Sequence, residues 1–332
     1  MSELKTSDKT GRDRKDVAVV IVNWNTLAML RDCLNSVIQE TQEYTYEIIV
    51  VDNNSPDKSA DMVRKEFPDV ILIANTTNNG FAPANNQALR IANARHYLLL
   101  NPDTVVLNGA IDKMVKYIDA NPDVGIVTCK LLNTDGTLQK SVNNFFSFSR
   151  SFIENRFLAN LFTRLDPKGN RFMSYWDHSE DRDIDWAFGA VLLFSQEVYD
   201  KVGILDDRFF IYAEEMDFYF RVKKAGYRSV FLADVEITHH GKSSSRQRRA
   251  EMFIQNYKSF YLYLRKHYPG YVYYLYRTRA FIYMHIWVVF FSLKYGFSRL
   301  IMKPDEEAKT QISVYTGTIK WHYTKDSKIP VE

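Results

Sequence analysis

A single carboxylate, Asp103, follows an apolar run in the segment YLLLNPDTVV (97–106). The run up to Leu100 is typical of a buried strand, and Pro102 cannot donate a hydrogen bond to a sheet, so the strand is expected to end here. Asp103 would then lie at the tip of a rigid element, where a carboxylate can bind Mg²⁺ or Mn²⁺. For this residue taken alone, a turn or capping role is an equally good interpretation.

Three other apolar runs also end in polar residues. The breaks are Asn23-Trp24-Asn25, Asp52-Asn53-Asn54 and Asn78-Asn79-Gly80-Phe81. Any one of them is most simply a turn, but the carboxyl ends of parallel strands meet at one edge of a sheet. Together with Asn101, these residues would offer the amides and acceptors of a nucleoside site, with Asp103 beside the phosphates.

Two later stretches carry further reactive groups. The segment FFIYAEEMDF (209–218) places Glu214, Glu215 and Asp217 in the first turn of a predicted helix, where the helix dipole favours acids. Repulsion among the three carboxylates can raise at least one pKa and produce a general base. THHGKSSS (238–245) adds His239 and His240. Adjacent side chains of an extended chain point in opposite directions, so at most one imidazole is expected to bind a metal.

These groups need a scaffold, and strands alternate with helices along the first part of the chain. Strands are predicted at 17–22, 47–51, 70–74, 97–100, 124–129, 189–194 and 227–237, and helices at 27–37, 59–67, 83–95, 111–118 and 214–226. This alternation predicts an α/β fold, a mostly parallel sheet flanked by helices. Ligands of such sheets bind at the carboxyl edge of the strands.

Several protein classes are not supported by the sequence of 332 residues. No GxGxxG follows the first strand and no GxxxxGK[ST] occurs, so neither a dinucleotide-binding fold nor a P-loop is indicated. HExxH is also absent, and no Ser-His-Asp order stands out. The two cysteines, Cys33 and Cys129, lie in apolar patterns, which favours buried thiols over a disulfide. Residues 1–16 are polar and charged, without the apolar stretch of a secretory signal, and are predicted to be a disordered tail.

The chain resembles glycosyltransferase family 2, the inverting GT-A enzymes, and within it the rhamnosyltransferase-like branch. The resemblance covers residues 17–245 and rests on VAVVIVNWNT, EIIVVDNNSPD, NNGFAPANNQAL, YLLLNPDTVV, DIDWAFGAVLLF, VGILDDRFFIYAEEMDFYFRVKKAGY and ITHHGKSS. It implies a GT-A nucleotide-diphospho-sugar transferase domain over this range. The residues that it implies for binding the donor nucleotide, with Asp52 accepting from the base of UDP or dTDP, are Asn23, Asn25, Asp52, Asn79, Gly80, Asn85 and Asn101.

The same resemblance assigns the remaining roles. Asn101-Pro102-Asp103 occupies the DxD position, with Asn101 replacing the first Asp, so Asp103 is the expected ligand of Mg²⁺ or Mn²⁺. His239 matches a late histidine ligand, and His240 is the alternative. Glu215 aligns with the catalytic base, Glu214 being the alternative. Asp217 is expected to position the site, and Trp186 and Gly189 are expected to border the acceptor.

The resemblance implies a single displacement from a nucleotide sugar, with inversion at the anomeric carbon. L-Rhamnose from dTDP-rhamnose is the donor expected for this branch, and UDP-hexose or galactofuranose transfer are the alternatives. The acceptor would be a hydroxyl of a glycan or of a lipid-linked saccharide, in bacterial polysaccharide or cell-wall assembly. A non-catalytic nucleotide-sugar-binding scaffold and a nucleotidyltransferase, which would release pyrophosphate, are the rival classes.

The last part of the chain, residues 246–332, differs in charge and composition. It carries 15 Lys and Arg against 6 Asp and Glu, whereas residues 1–245 carry 28 against 34. Its longest apolar run, 281–293, is shorter than the roughly 17–25 residues of a membrane span. Basic, aromatic helices at an anionic membrane surface are therefore predicted, which implies a cytoplasmic protein peripheral on the inner face of the membrane. Internal packing of the aromatics or an oligomer contact is the alternative, and nucleic acid is not an expected partner.

Overall fold

The computed structural model describes residues 13–148, 166, 173–241 and 249–329. Residues 1–12 of the predicted N-terminal tail lie outside this set. The tail was predicted to extend to residue 16, but the first strand begins at Lys15. Asp16 accepts hydrogen bonds from the backbone N–H and the hydroxyl of Thr45, and it pairs with Arg95 at 2.9 Å. These contacts hold the polar start of the strand in the sheet.

The first part of the chain folds around a mixed sheet. The strands are β1 (Lys15–Asn23), β2 (Tyr46–Asp52), β3 (Ile71–Ala74), β4 (Ala94–Leu100), β5 (Thr104–Val106), β6 (Val124–Leu132), β7 (Leu138–Gln139), β8 (Val142–Asn143), β9 (Arg182–Asp183), β10 (Trp186–Ala187), β11 (Val191–Ser195) and β12 (Arg228–His239). Among the described residues, ten of them form one sheet in the order β3-β2-β1-β4-β11-β6-β12-β5, with β7 on β6 and β9 on β12, while β8 and β10 pair separately.

Helices cover this sheet and continue into the C-terminal part of the chain. They are α1 (Leu27–Glu40), α2 (Ser59–Glu66), α3 (Phe81–Ile91), α4 (Ala110–Ala120), α5 (Gln196–Val202), α6 (Glu214–Lys224), α7 (Arg249–His267), α8 (Gly270–Leu300) and α9 (Glu306–His322). Helix α3 ends earlier than the predicted residue 95, because Ala94 already pairs with Lys15 in the sheet.

The pairing directions of the strands confirm the predicted fold class. Strands β3, β2, β1 and β4 run parallel, and β6 runs parallel to β12. The apolar runs of the central strands are buried on both faces, as β-branched runs in covered parallel sheets are. Strand β11 is antiparallel to both β4 and β6. That reversal places the residues before Val191 beside the carboxyl end of β4.

The described residues divide into two units. The first lies within Met1–Phe210 and Glu214–Ser244, and the second within Ile211–Ala213 and Ser245–Glu332. The second unit contains α7, α8 and α9, which pack on one another through aromatic pairs such as Tyr261–Tyr273 and Phe291–Tyr315.

Helix α8 is longer than the apolar run 281–293 indicated. It extends over 31 residues, Gly270–Leu300. By length and composition alone, it is the one helix among the described residues that could cross a membrane, and 11% of its most apolar window is buried. Core helices of soluble proteins pass the same test, so this property alone assigns no location.

Candidate active site

The turn after β4 fixes Asp103 at the carboxyl edge of the sheet. The backbone N–H of Asn101 donates to the carbonyl of Ala190 in the segment before β11, and the Thr104 hydroxyl donates to the carbonyl of Asn101 at 2.7 Å. Thr104 is fully buried and begins β5, so the chain crosses the edge in a short, closed turn. The sheet therefore holds Asp103 in a defined position.

His239 approaches Asp103 from the end of β12. Its Nε2 lies 3.3 Å from Asp103 Oδ1, and its Nδ1 lies 2.6 Å from Gln139 Oε1. The Gln139 oxygen only accepts, so it orients the ring through Nδ1–H, and Nε2 is left facing Asp103 as the nitrogen that a shared metal ion would bind. A histidine held in one tautomer by a neighbouring acceptor is the usual arrangement of a metal-ligating imidazole.

His240 and Asn101 lie differently relative to the Asp103–His239 pair. The side chain of His240 is exposed, and its backbone N–H donates to the Asp103 carbonyl. Asn101, which the sequence placed with the nucleotide, lies with its Nδ2 3.4 Å from His239 Nε2. The geometry therefore favours His239 over His240 as a ligand and brings Asn101 to the same corner.

The carboxylate and imidazole fit two positions of one divalent ion. Neighbouring ligands of an octahedral ion lie about 3 Å apart when each is about 2.1 Å from the metal, close to the separation found here. Within the described residues, no three His, Cys, Asp or Glu side chains gather to hold a metal. An ion held by Asp103 and His239 would need further oxygen ligands, which the phosphates of a bound nucleotide can supply.

A buried network lies at the carboxyl ends of β1 and β2. Asn23 donates from Nδ2 to Asp52 Oδ1 at 2.8 Å, and Asp52 Oδ2 accepts from the backbone N–H of Ser55. The Ser55 hydroxyl accepts from Asn23 Nδ2 and from the backbone N–H of Asn25. A carboxylate with two oxygens offers about four acceptor sites, so these two contacts leave Asp52 capacity for further donors.

The other predicted nucleotide residues lie around the start of α3. Gly80 has φ +90°, and a β-carbon there would lie 2.4 Å from the Phe210 carbonyl oxygen. Half-buried Asn79 accepts from Thr77 Oγ1, while buried Asn85 donates back to the Phe81 carbonyl. The structure brings Gly80 and Asn79 to the β2 side of the edge, and it gives the Asn85 amide a partner inside its own helix.

Helix α6 begins with the buried Glu214 and the half-buried Glu215. Burial and the neighbouring Glu215 charge raise the pKa of Glu214 well above its ordinary value. Burial raises the pKa of Glu215 to about 7, although hydrogen bonds from the backbone N–H groups of Glu215, Met216 and Gly189 act to lower it. Within the described residues, Oε2 of each glutamate is buried without a hydrogen-bond partner. Glu215 is the more accessible of the two, and its pKa lies where a general base works best.

Asp217 stabilises the start of α6 through a buried ion pair within the same helix. Its fully buried carboxylate pairs with Arg221 at 2.8 Å, and Arg221 also donates to the carbonyls of Val202 and Ile204. A buried carboxylate with such a partner is a positioning group rather than one that touches a substrate.

Glu215 and Asp103 lie at the same edge of the sheet. A β-carbon on Gly189 would lie 3.4 Å from Cβ of Glu215, and the next residue, Ala190, accepts the hydrogen bond from Asn101. Asn101, which makes this hydrogen bond, lies two positions before Asp103 in the chain. The carboxyl–imidazole pair and the acidic start of α6 are thus connected through the short segment Gly189-Ala190.

Aromatic rings flank Gly189. Trp186 is half-buried and donates from Nε1 to the Asn144 carbonyl at 2.8 Å. Phe188, which the sequence analysis missed, is 42% exposed, with its ring centroid 6.0 Å from that of Trp186. An exposed ring near the half-buried Glu215 offers an apolar surface for a sugar face.

Ser55 and Gln139 are the other functional candidates that sequence reasoning missed. Ser55 is hydrogen-bonded to Asn23, Asn25 and Asp52. Gln139 orients the imidazole of His239, which lies 100 positions away in the sequence. Ser55 follows the predicted Asp52-Asn53-Asn54 break and could have been included with it. Gln139 had no signal in the sequence, because a single glutamine in a hairpin is most simply a surface residue.

Comparison with known proteins identifies the class. Residues 18–176 match the model described as Glycosyl transferase family 2. The chain is 24% identical over 239 residues to the N-acetylglucosaminyl-diphospho-decaprenol L-rhamnosyltransferase of Mycobacterium tuberculosis, covering 69% of this chain and 77% of the relative. It is 26% identical to the O-antigen biosynthesis protein RfbC of Myxococcus xanthus, covering 71% of this chain but only 18% of that protein.

The fold resembles a solved structure of the mannosyltransferase PcManGT from Pyrobaculum calidifontis in complex with GDP-Man and Mn²⁺. The TM-score is 0.50 at 20% identity, over 75% of this chain and 63% of that one. The fold and these relatives define a glycosyltransferase of the GT-A type. The chain contains a glycosyl transferase family 2 domain, which confirms the family that the sequence motifs indicated.

Proposed function

We propose that this glycosyltransferase moves a sugar from a nucleoside-diphosphate donor to a hydroxyl group, with inversion at the anomeric carbon. The observation that carries the proposal is the common edge shared by the Asp103–His239 pair and Glu215, linked through Gly189-Ala190. A donor diphosphate and an acceptor hydroxyl can then meet between groups that stabilise the leaving group and accept the proton.

The nucleoside is proposed to bind at the ends of β1 and β2. Asp52 accepts from a pyrimidine N3–H, in the orientation that Asn23 and Ser55 impose on its carboxylate. Asn25, Asn79 and Gly80 border the same pocket. A buried carboxylate that accepts a hydrogen bond from the base suits UDP or dTDP, because uracil and thymine both carry an N–H donor at N3.

The diphosphate is proposed to lie beside Asp103 and His239, which would hold Mn²⁺ or Mg²⁺. When bound, the ion would neutralise the charge that develops on the departing diphosphate. Imidazole together with carboxylate favours Mn²⁺ over Mg²⁺, which prefers oxygen ligands alone. The solved mannosyltransferase that shares the fold was crystallised with Mn²⁺, which supports a divalent ion here.

Glu215 is proposed as the general base. Its carboxylate takes the proton of the acceptor hydroxyl as the oxygen attacks the anomeric carbon from the face opposite the diphosphate. Burial and the Glu215 charge raise the pKa of Glu214 well above its ordinary value, which favours the neutral form of Glu214 and leaves the charge on Glu215. Trp186, Phe188 and Gly189 border the acceptor.

L-Rhamnose from dTDP-rhamnose to a glycan or lipid-linked saccharide is the proposed reaction, supported by the mycobacterial rhamnosyltransferase among the relatives. It would take place in polysaccharide or cell-wall assembly, at the inner face of the cytoplasmic membrane. UDP-hexose and galactofuranose donors are the competing choices.

A donor panel tests this proposal directly. The full chain is incubated with dTDP-rhamnose, UDP-glucose, UDP-galactose and UDP-galactofuranose, with Mn²⁺ or EDTA, and release of the nucleoside diphosphate is measured. Consumption of dTDP-rhamnose that needs both Mn²⁺ and a saccharide acceptor, and that Glu215→Gln abolishes while donor binding persists, is the expected result. Pyrophosphate release, or turnover near wild type in Glu215→Gln, would contradict it.

A further inference from the structure

Helix α8 of the second unit has apolar residues on two opposite sides. One side packs inside the unit, where Tyr273, Ala280 and Met284 are buried and Phe291 stacks on Tyr315 of α9. Arg277 lies on this side too and donates to the His322 carbonyl at 2.7 Å. The interior of the three-helix unit therefore uses only half of the apolar surface of α8.

The opposite side is an exposed apolar stripe. Ile282, Ile286, Val289, Leu293, Phe297 and Leu300 follow one another at spacings of three and four, and each is 54–81% exposed. These spacings place all six on one face of the helix. At 1.5 Å per residue the stripe is about 27 Å long. Contiguous apolar surface of this extent on a soluble protein marks a binding surface.

The charge of α8 distinguishes between possible occupants. The helix carries Arg277, Arg279, Lys294 and Arg299 and no Asp or Glu. Two such helices packed face to face would repel each other, whereas an anionic lipid surface attracts them. Lys294 also pairs with Asp305 at 2.8 Å, and Arg299 adds a positive charge in the last turn of the helix.

The polarity of α9 bears on how α8 would meet a bilayer. Glu306, Lys309, Thr310, Ser313 and Lys320 are exposed along the length of α9, which packs on the inner side of α8. The pair α8–α9 is therefore apolar on the α8 side and polar on the α9 side, and its two ends do not differ in this respect. If α8 crossed the membrane, this polar face of α9 would be drawn into hydrocarbon, which is costly for charged side chains.

We infer that α8 lies in the plane of an anionic membrane surface, with its stripe in the acyl-chain boundary and the polar face of α9 toward water. The matching class of segment is an amphipathic interfacial helix, which anchors by apolar burial and by attraction to anionic lipid. This inference deepens the membrane association proposed above but does not depend on the transfer chemistry.

Flotation of the full chain with lipid vesicles tests the contact. Binding to phosphatidylcholine vesicles containing phosphatidylglycerol is expected, with weaker binding to phosphatidylcholine alone and at high salt. Ile286→Glu combined with Val289→Glu should reduce the partition coefficient about tenfold or more, since each loses the burial of an aliphatic side chain. Ser313→Glu, on the exposed face of α9, is the matched control and should bind like wild type.

Labelling of single introduced cysteines tests the orientation, since both native thiols are buried. With the protein bound to the outside of vesicles, an impermeant maleimide should label Gly270→Cys and Lys303→Cys at the two ends of α8 and Ser313→Cys on α9, all at exposed positions outside the stripe, while Ile286→Cys is protected. Alkaline carbonate should release the protein. Labelling of only one helix end until the vesicles are permeabilised would overturn the in-plane orientation.

Two further outcomes would also overturn the inference. One is a lipid-free dimer that Ile286→Glu dissociates, because the stripe would then bind a second copy. The other is flotation that the double glutamate variant leaves unchanged. The far-UV circular dichroism spectrum and the urea midpoint of each variant serve as folding controls throughout, so failure of the membrane contact is distinguishable from failure of the proposed reaction.

Discussion

The imidazole of His239 is held between Gln139 on one nitrogen, at 2.6 Å, and Asp103 on the other, at 3.3 Å. Gln139 comes from the hairpin strand β7 and Asp103 from the turn after β4, so three separate segments must meet for this alignment. Such an acceptor–histidine arrangement sets the ring tautomer before any ion binds.

Gln139→Ala should therefore weaken metal-dependent donor binding by about 10–100-fold, the range found when outer-sphere partners of ligands are removed. Without the acceptor, the His239 ring rotates and either nitrogen can carry the proton. Calorimetric titration of nucleoside diphosphate at several Mn²⁺ concentrations measures the change. Excess Mn²⁺ should restore part of the affinity, whereas Gln39→Ala on the exposed side of α1 should have no effect. Unchanged Mn²⁺ dependence in Gln139→Ala would contradict the role of His239.

The rate of transfer should depend on the protonation of Glu215. Its folded pKa is about 7, and the base acts only when ionised, so kcat/KM should rise as pH increases through about 7. Below that value the rate should fall about tenfold for each pH unit. Glu215→Gln should remove this dependence together with nearly all activity. A pH profile that is flat across the neutral range would contradict the assignment.

Glu214→Gln is the control for this experiment and carries its own expectation for stability. Burial raises the folded pKa of Glu214 above that of the unfolded chain, so the folded state binds more protons between the two values. Stability is then lost as pH rises toward the folded pKa. Glu214→Gln removes that loss, and it should increase the urea midpoint at alkaline pH more than at acid pH, while transfer activity is retained. A large loss of transfer without destabilisation would move the base to Glu214.

Phe188 should contribute to binding of the acceptor. Its exposed ring lies beside Trp186 and next to Gly189, which contacts Glu215. Phe188→Ala is expected to raise the acceptor KM about tenfold with a smaller effect on kcat, since a lost aromatic contact of about 1 kcal/mol or more acts mainly on binding. Ile38→Ala, at a similarly exposed apolar position on α1, is the control. An unchanged acceptor KM would place the acceptor elsewhere.

Much of the sheet could be predicted from the sequence because its strands are continuous apolar runs. Val17–Val22 and Leu98–Leu100 are buried on both faces, and patterns of this kind are visible without tertiary information. The polar breaks after these strands likewise indicated the ligand edge. The antiparallel direction of β11 could not be read from GAVLLF, since the same apolar run suits either direction.

The candidate site was less accessible to sequence reasoning where it depends on long-range contacts. The choice between His239 and His240 needed the position of Gln139, and the packing of Gly189 on Glu215 needed the register of β11. The length of α8 was underestimated because Arg277, Arg279 and Lys294 interrupt its apolar run, although a helix tolerates them on its surface.

Gly80 provides the last prediction, because it combines an unusual backbone angle with a crowded surrounding. Its φ is +90°, and an added β-carbon would lie 2.4 Å from the Phe210 carbonyl oxygen and 2.6 Å from a ring carbon of Phe210. Gly80→Ala should therefore destabilise the fold by about 1–3 kcal/mol from backbone strain, with a further cost from the clash. It should also weaken binding of the donor nucleotide by displacing the start of α3.

Gly136→Ala separates the two costs. Gly136 has a similar φ of +79°, but no atom lies within 4 Å of an added β-carbon in the β6–β7 hairpin. This variant should show the strain alone, and it should bind nucleotide normally because it alters no group on the nucleotide side of the edge. Urea unfolding and calorimetric binding of UDP and dTDP measure both effects. If Gly80→Ala proved no more destabilising than Gly136→Ala and bound nucleotide with wild-type affinity, the close approach of Phe210 would have no role in shaping the pocket.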